Sequence, residues 1–144
     1  MPTGHAATSL ARKLGLGPGH RLSLDHAPSG WAVPDAPDGV VLVDAPEHAD
    51  VLVSFFGAAG ELPGRLAVLG ARIFPAGSLW IAWPRRAGGH SSDMTDAIVR
   101  GHVLAMGLVD TKIAALDEDW SALRVVWRRE HRGGGAPPTV ARGG

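Results

Sequence analysis

The chain has 144 residues, 45% of them apolar and 19% charged, and a formal net charge of zero. That length fits one domain with enough chain to bury a core, and the composition excludes overall disorder. A neutral chain offers no field to draw in nucleic acid or an acidic membrane; without cysteine, disulfides, thiolate chemistry and the most familiar zinc sites are excluded as well.

The first residues hold no apolar core of signal-peptide type. The longest apolar runs, near residues 51–56 and 79–83, are far too short to span a bilayer. The expected location is the cytoplasm. Lys13 and Lys112 are the only lysines, so the arginine-rich basic set reads as compositional bias.

Residues 1–8 are small and polar and are expected to be a flexible N-terminus. Ser9 is placed to cap a short helix over residues 10–14, ended by Gly15. Glycines and Pro18 then turn the chain into a strand over 20–25. There Leu22 and Leu24 alternate with Arg21, Ser23 and Asp25. Residues 26–39 contain three prolines and two glycines, which rule out a full helix and leave room for one turn near Trp31.

Residues 40–43 form a β-branched run, and residues 51–56 form another soon after. A parallel crossover takes about a dozen residues or more. The two runs are therefore either not a simple βαβ unit or are joined by an extended link. From Glu61 the period becomes helical, with Leu62, Leu66, Leu69 and Ile73 on one face, Pro63 in the first turn and Gly70 weakening the end.

A buried strand is expected over 78–83, followed by a basic, glycine-containing loop and a helix starting near Asp93. Asp93 and Asp96 resemble a capping box, and Met94, Ile98, Gly101 and Ala105 define one expected face. Gly107 followed by Leu108 fits a Schellman-type stop. A strand over 108–116, the acidic turn Asp117-Glu118-Asp119 and the alternation of Leu123, Val125 and Trp127 make an antiparallel hairpin. Residues 9–130 thus read as a single domain and residues 131–144 as a disordered tail. The order of elements predicts an α/β fold: a three-layer, mostly parallel sheet with a C-terminal antiparallel hairpin.

Several blocks carry a resemblance. They are Leu14-Gly15, Pro18-Gly19, Ala27-Pro28, Leu79-Trp80-Ile81-Ala82-Trp83-Pro84, Ser92-Asp93 with Thr95, Gly107-Leu108-Val109-Asp110 and Trp120-Ser121. In these the chain resembles a bacterial family of small proteins catalogued as domain of unknown function 3052. More broadly it resembles class I S-adenosylmethionine-dependent methyltransferases. The resemblance spans about residues 10–129 and implies a small Rossmann-like fold with no established activity. In the methyltransferases an acidic, glycine-rich loop follows the first strand and leads into a full helix, and an acid near the end of the second strand binds the ribose. The resemblance makes Asp25 and Asp44 the corresponding cofactor-binding residues. The segment 25–31 departs from the pattern: Gly30 is its one glycine, and Pro28 removes a backbone donor.

The residues themselves offer further chemistry. Trp80 and Trp83 face opposite sides of their strand, and Trp83 could wall a planar ligand, although core packing is the commoner role. After Trp83, the arginines Arg85 and Arg86, the glycines Gly88 and Gly89 and the hydroxyls of Ser91 and Ser92 make a candidate anion-binding loop before a helix start. Asp93 opposes it with a negative charge. The seven histidines show no metal-ligand spacing. His26 and His90 both follow strands, and His90 near Asp93 is an acid–base candidate with no nucleophile to activate. No nucleophile elbow, phosphate-binding loop or calcium loop occurs.

The expectation is therefore a non-catalytic or degenerate methyltransferase-like domain. It would bind a small ligand or a protein partner, with self-association included, and would carry no metal and no cofactor. The alternative is a divergent methyltransferase using S-adenosylmethionine at Asp25, Asp44 and the loop after Trp83.

Overall fold

The computed structural model describes residues 9–137; the expectations for residues 1–8 and for 138–144 lie outside them. Ser9 caps α1, Leu10–Leu14, by accepting a bond from the Arg12 N–H, and Gly15 ends it in the left-handed conformation. Then come β1 (Arg21–Asp25), β2 (Val41–Leu42), β3 (Val51–Phe55), α2 (Leu62–Ile73), β4 (Ser78–Pro84), α3 (Asp96–Met106), β5 (Leu108–Ala115), β6 (Trp120–Trp127) and a short α4 (Arg129–Arg132).

The strands form one mixed sheet in the order β2-β1-β3-β4-β6-β5. The first four are parallel, and β6 runs antiparallel between β4 and β5. The two early apolar runs are not sheet neighbours. They flank β1, so the segment between them crosses one face of the sheet. Val43 and Ala49 of that segment are buried in the same apolar cluster as Leu52, Leu62 and Leu66. No crossover helix is required.

The faces of the sheet are covered unequally. One packs against α2 and α3, with Leu79, Ile81, Trp83, Leu123, Val125 and Trp127 pointing into that cluster. The other carries Leu22, Val51, Val53, Phe55, Trp80 and Ala82, covered by α1 and an irregular strap, residues 26–40. The indole N–H of Trp80 donates to the Leu14 carbonyl, 3.2 Å away, under α1. Trp80 and Trp83 thus serve opposite layers, as their spacing predicts. The expected three layers are present, but the third is mostly strap. Among the described residues no helix is long and apolar enough to cross a membrane.

Two expectations need correction. Thr95, not Asp93, caps α3: its hydroxyl accepts from the Ile98 N–H. Asp93 instead accepts a 2.8 Å bond from the Ala59 N–H on another loop. With the start moved, the buried face becomes Val99 and Val103, and Ile98 is exposed. Met94 is buried, but from the loop before the helix. Thr95→Ala is expected to cost about 1 kcal/mol in urea unfolding through loss of the cap. A Thr95→Ala variant as stable as the wild type would show that its hydroxyl does not hold the start of α3.

The second correction concerns the tail. Residues 131 and 132, expected in the tail, belong to α4, which packs back on the domain. His131 meets the Trp127 ring edge-on, and the Arg132 guanidinium donates to the Trp127 carbonyl. Arg128 N–H donates to Gly107, whose φ of 97° ends α3 and suits glycine alone. The Arg128–Gly107 bond spans 21 residues and the two contacts to Trp127 are local, so a stretch with little apolar periodicity still joins the fold.

Candidate functional site

In open α/β sheets, ligands favour the carboxyl edge where successive connections leave in opposite directions. Here that place lies between β1 and β3, since the chain goes from β1 to β2 on one side and resumes in β3 on the other. The strand ends bring Asp25 and Ser54 into register as neighbours. Both point to the α2 side, where α2 supplies Arg65.

Ser54, wholly buried, donates its hydroxyl to Asp25 Oδ2 at 2.5 Å. Arg65 donates to the same oxygen at 2.6 Å and to Ser54 Oγ at 2.8 Å. The other carboxylate oxygen, Oδ1, stands 3.2 Å from His26 Nδ1. Glu61 holds a second amine of Arg65 at 3.0 Å, and the guanidinium lies 3.7 Å over the Phe56 ring. Burial pushes the Asp25 carboxyl up, but the bonds from Ser54 and Arg65, the Arg65 charge and the His26 contact outweigh it. The carboxyl is held below its usual range and ionised at neutral pH.

His26 occupies the left-handed region with φ 57°. It is the only described residue other than glycine to do so, a conformation that costs energy and persists where its surroundings enforce it. It turns the chain sharply out of β1 and into the strap. No helix follows β1, so that connection brings no row of free N–H groups to a ligand.

Asp44 follows β2, the strand beside β1. Leu42 registers with Leu22, and Asp44 opens a turn whose Glu47 pairs with Arg21 at the start of β1. Asp44 is exposed. Trp83 is buried in the α2–α3 cluster, with one side bordering a shallow recess of about 300 Å³. Arg85, Arg86, Thr95, Asp96 and Ser121 share that recess. The structure thus joins Trp83 with both arginines and the start of α3. Asp96 brings a carboxylate to the same place.

The serines of the expected loop are used differently. Ser92 donates to the Gly57 carbonyl and accepts from the Met94 N–H. With Asp93 on Ala59, it ties the loop after β4 to the loop after β3. Ser91 is exposed and lines none of the cavities described. His90 pairs with Asp119 at 2.9 Å rather than with Asp93, beside a dent of about 220 Å³ walled by Pro28, Pro84 and Trp120. Among the described residues, no group of three His, Asp or Glu side chains is arranged to hold a metal ion.

Sequence reasoning missed Arg65 and its larger-scale counterpart, Arg72. Arg72 is buried on α2 and donates to Ser23 Oγ at 2.7 Å and to the Glu47 carbonyl at 2.9 Å. The available signal was Ser54, a hydroxyl inside an otherwise apolar run. A buried hydroxyl needs polar partners, and here Asp25 on the adjacent strand and Arg65 on α2 supply them. No family model matches the chain, and no curated protein matches it.

Proposed function

We propose that the chain is a small Rossmann-like domain, related to the methyltransferases but degenerate at the cofactor position, that acts in the cytoplasm by binding and not by methyl transfer. The strand order supports the relationship: a parallel set closed by a hairpin whose last strand is inserted antiparallel. The strap in place of a helix after β1 supports the loss of a cofactor loop.

The observation that carries the reading is the state of Asp25. Both its oxygens are engaged by side chains of this chain, one by Ser54 and Arg65 and the other by His26. A carboxylate so satisfied has little to offer a ligand hydroxyl, and freeing it would leave Arg65 with Glu61 as its one ion-pair partner among the described residues.

Titration calorimetry of the full chain with S-adenosylmethionine, and with its demethylated product, is expected to give no binding heat up to millimolar ligand. Affinity that disappears in Asp44→Ala would overturn this reading in favour of a divergent methyltransferase.

A further inference from the structure

We propose that the cleft between the strap and the β1–β2 edge is a binding site for a small aromatic or branched apolar molecule bearing one cationic nitrogen. This rests on the reading of the chain as a binding domain and names the class of ligand.

The cleft exists because of a sequence decision made earlier. Prolines and glycines at residues 26–39 forbid the helix that would otherwise fill the sheet face beside β1. The strap arches over that face without filling it, leaving a cavity of about 460 Å³. Pockets that take small molecules run from roughly 300 to 1,000 Å³. Leu22, Leu24 and Leu42 form the floor from the sheet, and Trp31, Val33 and Val40 form walls from the strap.

The cleft is held open from outside. Asp35 accepts from the Ala11 N–H on α1, and the Asp38 carbonyl accepts from the Gly19 N–H. The Trp31 indole donates to Asp117 at the far hairpin and meets Phe55 edge-on at 4.9 Å. A strap pinned at three points loses little freedom when a ligand enters, which favours affinity. On the open side Leu42 is 68% exposed, apolar area that an occupant would cover.

The charge at the cleft sets the occupant. Asp38 is the one ionisable side chain among the lining residues, and it is exposed. Its backbone is fixed by Gly19, while its carboxylate has no ion-pair partner among the described residues. An apolar body fits the walls, and a cation matches the rim. An anion would meet Asp38 without compensation.

Three indoles substituted at the same ring position separate the contributions: tryptamine, neutral 3-methylindole and anionic indole-3-propionate. Each is titrated into the full chain and followed by amide chemical shifts and melting temperature. Tryptamine is expected to bind most tightly, about fivefold better than 3-methylindole, with indole-3-propionate weakest. Asp38→Asn should bring tryptamine down to the neutral compound without altering 3-methylindole. Leu42→Glu should weaken 3-methylindole at least tenfold. Both positions are exposed, and an unchanged circular dichroism spectrum confirms folding.

Equal binding of all three indoles, or binding of none, overturns the proposal. So does a Leu42→Glu variant that elutes as a smaller species than the wild type, since a second copy would then occupy the cleft. Failure of tryptamine would leave the cofactor result untouched. Conversely, S-adenosylmethionine binding that survives Asp38→Asn and Leu42→Glu would remove the degenerate-methyltransferase reading without removing the cleft.

Discussion

Replacing Trp127 by alanine is expected to lower the free energy of unfolding by about 3–5 kcal/mol, read from urea denaturation. Trp127 ends β6, is almost wholly buried and closes the cluster under α2 and α3. Its indole N–H donates to the Gly70 carbonyl at 2.9 Å. Carbonyls in the last turn of a helix lack intrahelical partners, so this bond satisfies a group that would otherwise be buried and unpaired. The ring also meets Phe74 and His131 edge-on. Gly70 looks like a weak point in a helix, but a Cβ there would stand 3.1 Å from the Trp127 ring. Its absence admits the indole. Trp127→Phe keeps most of the apolar area and forfeits the bond, so a smaller loss of about 1–2 kcal/mol is expected. A cost below about 1 kcal/mol for the alanine variant would show that the end of α2 does not depend on this contact.

Arg65→Ala is expected to cost about 2–4 kcal/mol at neutral pH, less than a fully buried pair because about a fifth of each side chain remains exposed (19% for Arg65, 22% for Asp25). The pH dependence has a definite sign. The folded Asp25 carboxyl titrates below its ordinary value of 3.8. Its pairing therefore contributes stability that is complete above the ordinary value and is lost as pH falls through the lower, folded one. The gap between wild type and Arg65→Ala should narrow as urea melts are taken from pH 7 down towards 3. A gap constant across that range would assign the role of Arg65 to its packing over Phe56. Asp25→Asn in the wild-type and Arg65→Ala backgrounds then isolates the pair.

Much of this architecture was legible in the chain. The period-two alternation in Trp80 to Trp83 and in Leu123 to Trp127 correctly divided residues between the two faces. The proline-rich stretch correctly excluded a helix between β1 and β2. Elements whose limits depend on distant partners were not legible. Ser92, Asp93 and Thr95 all have capping chemistry; which one caps α3 is decided by Gly57 and Ala59, which engage the first two. The same holds for the candidate site. Asp25 was visible as a strand-end acid, but its neutraliser lies 40 residues further along the chain. Asp44 was placed by analogy of spacing, and the turn that it opens is held at Glu47 by Arg21, a partner distant in the chain.

The two borders of the sheet bear on the solubility of the protein. Open borders present unpaired backbone groups on which another chain can add a strand, the usual start of fibrous aggregation. On one side the bordering strand is β2, only two residues long, although its Val41 and Leu42 are both apolar and exposed. An incoming chain would find too few backbone groups in line to hold it. On the other side β5 is longer, but its ladder slips between Asp110 and Lys112, and the charged Lys112 stands at the slip. Such an irregularity bends the strand and breaks the template. Apolar residues can therefore remain uncovered at the border without committing the protein to stack upon itself.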